Sequence, residues 1–560
     1  MKERLTQQSS SRGFSVLGTA SILCKVLALI YLPIQTAIVG YSGNGVINNG
    51  FKIYMFMYSL ANVGLPIAIS KFVSELETRG DYRGTRRVMK CAFTILLSLG
   101  VISTIVLFLG AGWFARVYCK QPSSELMIKT IAPAFLLTAV SCALRGYFQG
   151  RQNMIPTALS QIIEQVLNTL FTVVFVYLMF NIGTAKHADA YAFAAAGSSI
   201  GTVIGAIGAA AFLSYLFFYV FKEKRHKEYQ NQTYQGLELT TKYIYLEMLK
   251  YAVPAIISAI ATSAIDLIDT STITRMLERG GYTSIQSNDL WGIYSTNYQR
   301  LFTLAIAFTT PLVTAMIPSI SSAFSVNNQK LFKQRIHESY KLIYLIMLPC
   351  IAGLTFLAKP MITFIFINKN AGEGLVILGT WTAIFMAISY IQSGILISIG
   401  RPLISPINII IGMLVKLLCN FVLIPLHSVN IYGAVIGNAV AWIIAIILNQ
   451  YFINRSINGT LHSARLLIVP SSMSMIMGIC CLLVYKLFYL LLGLILHGVL
   501  ANDIALLISV AVGIVIYFTL MIKLGGTKAE DISRLPMGSR ILRLLRKLPF
   551  LQKDLQKKFA

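Results

Sequence analysis

About fourteen apolar segments fill this chain, each long enough to cross a bilayer of roughly 30 Å, and a few carry a charge near mid-helix. Lys25, Asp266, Asp269, Arg300 and Lys416 all sit inside such segments. A charge facing lipid at mid-membrane costs about 2.5–3.5 kcal/mol or more, so each is expected to face a watered cavity or a partner. The pattern predicts a polytopic membrane protein with a polar, partly cationic path through its core.

Composition supports the membrane class. The 560 residues are 56% hydrophobic and 12% charged, where soluble domains are nearer a quarter charged. The formal net charge of +26 would suggest nucleic acid in a soluble protein. Here the basic residues gather in short links between apolar spans, so no nucleic-acid partner is expected. The eight cysteines, Cys24, Cys91, Cys119, Cys142, Cys350, Cys419, Cys480 and Cys481, lie mostly inside spans and show no C-x-x-C or metal-like spacing. No metal or cofactor is expected from them, and they read as small apolar core residues.

The expected spans are 14–40, 46–75, 88–113, 125–150, 156–180, 189–220, 246–275, 291–323, 336–366, 374–400, 402–426, 431–454, 464–494 and 503–524. Lys and Arg set the orientation, because cytoplasmic links carry the excess of both. With the N-terminus inside, the inner side receives the polar head 1–13, the 76–90 link with Arg79, Arg83, Arg86, Arg87 and Lys90, and the 221–245 linker. It also receives the 324–341 link and the basic tail 525–560, whereas the outer side receives few basic residues, among them Arg116, Lys120 and Lys186. Both termini are therefore expected in the cytoplasm. The first apolar stretch is too long for a cleaved signal and contains Lys25, so it reads as a retained span. The tail segment from Arg540 to Leu548 alternates basic and apolar residues and fits either an interfacial helix on anionic lipid or a solvated basic tail.

The chain repeats itself at about 250 residues. Gly150-Arg151 precedes Pro156 as Gly400-Arg401 precedes Pro406, and Leu65-Pro66 to Ser70 is similar to Ile317-Pro318 to Ser322. Six spans is an even number, so the halves share one orientation, as in transporters with parallel repeats. The expected architecture is all-α: an N-lobe over 14–220 (spans 1–6), a C-lobe over 246–454 (spans 7–12), and two further helices over 464–524. Two such lobes are expected to enclose a cleft and to work by alternating access. Pro66, Pro254, Pro311 and Pro318 suit helices that bend during that motion or that are kinked for packing. Gly146-x-x-x-Gly150 and Gly201-x-x-x-Gly205 read as close helix contacts, and no G-x-x-x-x-G-K-[ST] sequence is present to hold ATP.

Lys25 lies deep in span 1, Lys52 at the outer start of span 2, Arg300 in span 8 and Lys416 midway along span 11. These cations suit an anionic group such as a phosphate, which Arg can grip bidentately; Lys52 could equally snorkel outward, and Lys416 could be paired structurally. Asp266 and Asp269, three residues apart, share a helix face. They could neutralise Arg300 or Arg275, or hold a coupling cation. Glu164 is expected to pair with Arg145 or Arg151.

Val63-Gly-Leu-Pro-Ile-Ala-Ile-Ser-Lys71, then Arg145-Gly-Tyr-Phe-Gln-Gly150 running through Asn153 to Gln165, resemble the lipid-linked polysaccharide flippases of the MurJ and stage V sporulation protein B group. Asn408 to Asn420, with Lys416 inside it, and Ile431-Tyr-Gly-Ala434 fit as well, and the resemblance covers essentially the whole chain. It implies two six-helix lobes plus two extra spans, in the multidrug/oligosaccharidyl-lipid/polysaccharide exporter superfamily. It also implies a cleft for the head group of lipid II or a similar undecaprenyl-diphosphate sugar, in the plasma membrane of a bacterium, with the lipid tail near spans 13–14. Substrate-binding roles fall by this resemblance on Lys25, Lys52 and Arg300, supporting or ion-coupling roles on Asp266, Asp269 and Lys416, and a structural turn on Arg145, Gly146, Gln149, Gly150 and Glu164. Other members carry a second basic residue in span 1, where this chain has Thr19 and Tyr31 nearby, so its cationic cluster is thinner. A working monomer is implied, with membrane lipids and cell-wall synthesis machinery as partners and a vegetative or sporulation role.

The expected function is a flippase for a polyprenyl-diphosphate-linked cell-wall precursor, not an enzyme, with no catalytic residues. A cation-coupled multidrug exporter would need carboxylates in the first lobe, and span 1 has none. A membrane glycosyl or phosphoryl transferase would need a cluster of carboxylates, or a base and nucleophile, at a membrane face, and the links hold no such cluster. A non-transporting cell-wall assembly factor is the remaining alternative.

Overall fold

The computed structural model describes residues 10–62, 64–220, 239–306, 309–325, 328–366, 371–457, 466–496, 498–524, 526–527, 532 and 542–543. The expected linker 221–245 and tail 525–560 lie mostly outside them. Helices make up the secondary structure, with no strand among the described residues. This is what lipid demands, because a helix satisfies its own backbone hydrogen bonds where no water is available.

The first compact unit runs from Met1 to Gly292. Its helices are α1 (Ser10–Asn62), α2 (Gly64–Thr78), α3 (Tyr82–Trp113), α4 (Glu125–Ile131), α5 (Ala134–Gly150), α6 (Ile155–Ala185), α7 (Ala190–Tyr215) and α8 (Thr241–Arg279), and most of α9 (Ser284–Ile293) follows. The second unit, Ile293 to Ala560, holds α10 (Gln299–Ile306), α11 (Thr309–Ser325), α12 (Gln329–Phe356), α13 (Ala358–Phe366), α14 (Glu373–Gly379), α15 (Thr382–Ser398), α16 (Ile404–Leu423), α17 (Tyr432–Ile457), α18 (Ile468–Gly493) and α19 (Val499–Lys523).

Among the described residues eleven helices are long and apolar enough to span a membrane, and a pair bent by 43° over residues 122–150 makes a twelfth. Two of the fourteen expected spans are accounted for differently. Spans 1 and 2 run together through α1, whose 53 residues would reach about 80 Å if straight. The helix instead breaks at Gly40, at φ 68° and ψ −169°. Gln35 Nε2 donates to Asn44 Oδ1 at 2.8 Å and Asn44 Nδ2 to Thr36 Oγ1 at 2.7 Å, bonds that residues eight or nine apart on a straight helix could not make. Span 8 is divided into the end of α9, a π-helical turn at Tyr294–Tyr298, α10 and α11.

Side chains divide by face. On α3 the buried residues Ala92, Leu96, Gly100, Leu107 and Ala111 form one stripe, while Ile102, Ile105 and Phe108 are over half exposed and Leu109 is 78% exposed. An apolar face this open is lipid-facing. Polar caps mark where spans begin: Gly84 N–H donates to Asp81 Oδ1 at 2.8 Å before α3, and Leu331 N–H donates to Asn328 Oδ1 at 3.0 Å before α12. In the second unit α18 and α19 pack on each other and on α12 and α13. Asn502 ties them in, accepting from Tyr485 Oη at 2.8 Å and donating to Pro360 O at 3.3 Å.

The duplication is visible in the contacts. In the first unit α2 packs on α5, which leads into the Gly150-Arg151 turn; in the second α11 packs on α15, which leads into Gly400-Arg401. Both turns are Schellman caps. In the first, Asn153 N–H bonds back to Phe148 O at 3.0 Å and Gln152 N–H to Gln149 O at 2.9 Å; in the second, Arg401 N–H bonds to Leu396 O at 2.8 Å and Gly400 N–H to Ile397 O at 3.0 Å. The left-handed residue is Gln152 (φ 56°) in one and Gly400 (φ 78°) in the other. The helix contacts repeat in that same register, Gly146 with Gly394 and Ile69 with Ile317. A Cβ on Gly146 would lie 2.9 Å from Ile69 Cβ, and one on Gly394 would lie 3.6 Å from Ile317 Cγ1. The structural repeat therefore pairs Gln152 with Gly400, a slightly shorter step than the one that pairs Gly150 with Gly400 in the sequence motif. Helices match by contact and cap rather than by the letters that recur.

Candidate functional site

Among the candidate binding and ion-coupling residues, Lys52 and Asp266 come into direct contact. Several anchors fix the arm of α1 that carries Lys52. Trp291 Nε1 donates to Gly45 O at 3.2 Å, and Ser124 Oγ donates to Val46 O at 3.0 Å. Facing it, α8 is held next to Asp266 and further along by the π-helical turn Phe114–Tyr118 that ends α3. Tyr118 Oη donates to Leu267 O at 3.0 Å, and Arg275 Nη2 donates to Val117 O at 2.9 Å. With both helices held, Lys52 Nζ lies 2.5 Å from Asp266 Oδ1. The lysine side chain is 16% exposed and the carboxylate 46%, so the pair is covered on the cation's side and open on the anion's.

Asp269, one turn further along α8, is buried at 1% exposure. Lys52, 214 residues away in sequence, is a partner of Asp266, while Arg275 binds a backbone carbonyl. Lys25 lies on α1, and its side chain is outside the described residues.

The Arg145-Gly-Tyr-Phe-Gln-Gly150 motif forms a joint. Arg145, 7% exposed, donates Nε to Ser160 Oγ at 3.0 Å and Nη2 to Glu164 Oε2 at 2.7 Å, linking α5 to α6. Arg151 pairs with Glu77 of α2 at 3.0 Å, and its Nη1 donates to Tyr147 Oη at 2.7 Å. Gly146 and Gly150 let α5 lie directly on α2; a Cβ on Gly150 would meet Ser70 O at 2.6 Å. Gln149 is half-buried. Gly205 likewise seats α7 on α6, where a Cβ would meet Glu164 O at 2.6 Å. Both Gly-x-x-x-Gly pairs are thus helix contacts.

In the second unit Arg300 is half-buried at the start of α10 and forms no ion pair among the described residues. The π-helical turn before it is wholly buried and firmly anchored. Asn297 Nδ2 donates to Ala371 O at 2.7 Å, Asn438 Nδ2 donates to Tyr294 Oη at 2.9 Å, and Tyr298 Oη lies 3.3 Å from Thr382 Oγ1. Such insertions re-aim the residues that follow them. Lys416 is fully buried on α16 (0% exposed), in space left by Gly437 of α17, where a Cβ would sit 3.3 Å from Lys416 Cγ.

Sequence reasoning missed two sets of bonded carboxamides that tie α16 and α15 to α17. Asn408 Nδ2 donates to Asn449 Oδ1 at 2.8 Å, and Asn449 Nδ2 to Ser405 Oγ at 3.2 Å. Gln392 Nε2 donates to Gln450 Oε1 at 3.1 Å, and Gln450 Nε2 to Asn454 Oδ1 at 2.7 Å. Amides recurring at helical spacing on apolar spans were the available signal, since such groups find partners across helices in lipid. No trio of His, Cys, Asp or Glu that could hold a metal occurs among the described residues.

Known proteins share both the sequence and this architecture. The family model described as "Polysaccharide biosynthesis protein" matches residues 10–324, more than half of the chain. The lipid II flippase MurJ of Bacillus subtilis (strain 168) is 25% identical over 532 residues, covering 92% of this chain and 95% of its own. Stage V sporulation protein B of the same organism is 23% identical over 451 residues, covering 80% and 85%. Among solved structures, the inward-facing conformation of a multidrug resistance MATE family transporter of the MOP superfamily aligns with a TM-score of 0.62 at 15% identity, over 79% of this chain and 99% of that one. The chain shares the fold of that transporter.

Proposed function

The chain belongs to the polysaccharide biosynthesis protein family, and we propose that it is a flippase that moves a polyprenyl-diphosphate-linked cell-wall precursor, lipid II or a related lipid-linked oligosaccharide, from the inner to the outer leaflet. The observation that carries this reading is a cation, Lys52, held ready inside a membrane-spanning arm by a carboxylate that remains half exposed. A diphosphate is the natural competitor for such a cation. Arg300, half-buried and following an anchored turn, is a second cation suited to a phosphate group, and Lys25 a third. The relatives named lipid II flippase and stage V sporulation protein B lend the substrate class. The protein works by alternating access in a bacterial plasma membrane with both termini in the cytoplasm, as a monomer that meets membrane lipids and cell-wall synthesis machinery. An exporter of organic cations would want a carboxylate without a cationic neighbour, whereas Asp266 is bound by Lys52.

The test is outer-leaflet lipid II in cells depleted of their own flippase and supplied with this protein. Restoration is expected, and Lys25→Ala and Arg300→Ala should each lose it while still reaching the membrane. Full restoration by both variants would sink the cationic reading. No restoration by the well-expressed wild type would remove lipid II as the substrate.

A further inference from the structure

A lysine inside a membrane protein faces a problem of selectivity. Phospholipids with one phosphodiester charge are abundant around it, and any of them could occupy an unguarded ammonium. Lys52 is not unguarded. Its Nζ lies 2.5 Å from Asp266 Oδ1, and the carboxylate is the more open of the two, at 46% against 16% exposure. An anion approaching from the open side meets Asp266 first. Two negative groups cannot share one ammonium without strong mutual repulsion, so the incoming anion must displace the carboxylate. The supports of α8, through Tyr118 to Leu267 and Arg275 to Val117, keep Asp266 in place against weak competitors.

We propose that Asp266 is the resident counter-ion of the Lys52 site: every anion must displace it, which sets a threshold that a diphosphate clears and a singly charged phosphodiester does not. This deepens the function proposed above and rests on it. The device lowers the affinity of every anion by the same factor, so that only the stronger ligand holds the site. A diphosphate brings more charge and more acceptor oxygens to the ammonium than a carboxylate does, so it wins the exchange. A phosphodiester brings the same single charge as Asp266 and has no advantage to offset the loss of the existing pair.

The test uses the full chain in detergent, with undecaprenyl diphosphate, phosphatidylglycerol and inorganic pyrophosphate as separate ligands. Wild type should prefer undecaprenyl diphosphate to phosphatidylglycerol. Asp266→Asn should raise phosphatidylglycerol and diphosphate affinities alike, by about tenfold, because neither ligand then has to break the Lys52–Asp266 pair. Asp266→Glu, which keeps the carboxylate, should return both to the wild-type affinity. Lys52→Met combined with Asp266→Asn should abolish the gain, because the gain passes through Lys52. Inorganic pyrophosphate should compete at the same site, since the diphosphate itself is read. A purely structural Asp266 would instead weaken both ligands in Asp266→Asn. Weaker or unchanged binding in that variant, a gain that survives without Lys52, or failure of pyrophosphate to compete overturns the exchange. Wild type with no preference for the diphosphate would instead overturn the flippase reading itself.

Discussion

In the first unit, the helix after the Gly-Arg turn starts against an ion pair, Arg145 with Glu164. In the second unit, the helix after the corresponding turn starts against carboxamides, Asn408 with Asn449 and Ser405. In the register that pairs Gln152 with Gly400, Ser160 corresponds to Asn408, and Asn168 and Thr172 correspond to Lys416 and Asn420. Asn168 accepts from Thr172 Oγ1 at 2.9 Å, a neutral pair, where the second unit has a buried lysine. One scaffold thus carries charge near its turn in one copy and at mid-span in the other. The contrast teaches that the repeat preserves backbone contacts while leaving the polar filling free. An ion pair near the turn and an amide chain both satisfy buried groups, but they differ in how much depends on each member.

That difference can be measured. Glu164→Ala leaves Arg145 buried without its carboxylate and should destabilise the protein by about 3–5 kcal/mol, read as a large fall in the thermal unfolding midpoint in detergent. A small loss would mean that Ser160 alone suffices for Arg145. Asn449→Ala strands Asn408 and Ser405, which are neutral, so the loss should be smaller, about 1–3 kcal/mol by the same measurement. Equal effects at both sites would erase the distinction between the units. The smallest effects belong to the turns. A Cβ at Gly400 meets no atom within 4 Å, so the loss of about 1 kcal/mol expected for Gly400→Ala is purely conformational. Gln152→Gly relieves the same strain in the first turn and should leave stability unchanged or raise it by a few tenths of a kcal/mol. Opposite signs for these two substitutions would confirm that Gln152 and Gly400 are equivalent cap positions; a loss at both would show that Gln152 does more than turn the chain.

Much of this architecture was legible before any coordinates. The apolar segments, the Gly-Arg turns, the close contacts at Gly146, Gly150, Gly201 and Gly205, and an arginine partner for Glu164, Arg145 or Arg151, depend on patterns within tens of residues. The Lys52–Asp266 pair was not legible: the sequence reading offered Arg300 or Arg275 to Asp266, and Lys52 lies 214 residues away. The amide chain of the second unit was also hidden, since a single Asn or Gln on an apolar span does not say which neighbouring helix it will meet.

By itself the sequence determined that this is a multi-pass helical membrane protein, roughly where its helices run, and that its chain is duplicated. Those properties follow from local hydropathy and from the need of every backbone group in lipid to be satisfied within its own helix. Only the tertiary structure decided that α1 breaks at Gly40, that the repeat pairs Gln152 with Gly400, and that Lys52 meets Asp266 from 214 residues away. Such pairings depend on the rotation and depth at which two helices pack, and both are set by side-chain contacts along the whole interface rather than by the charged residues themselves.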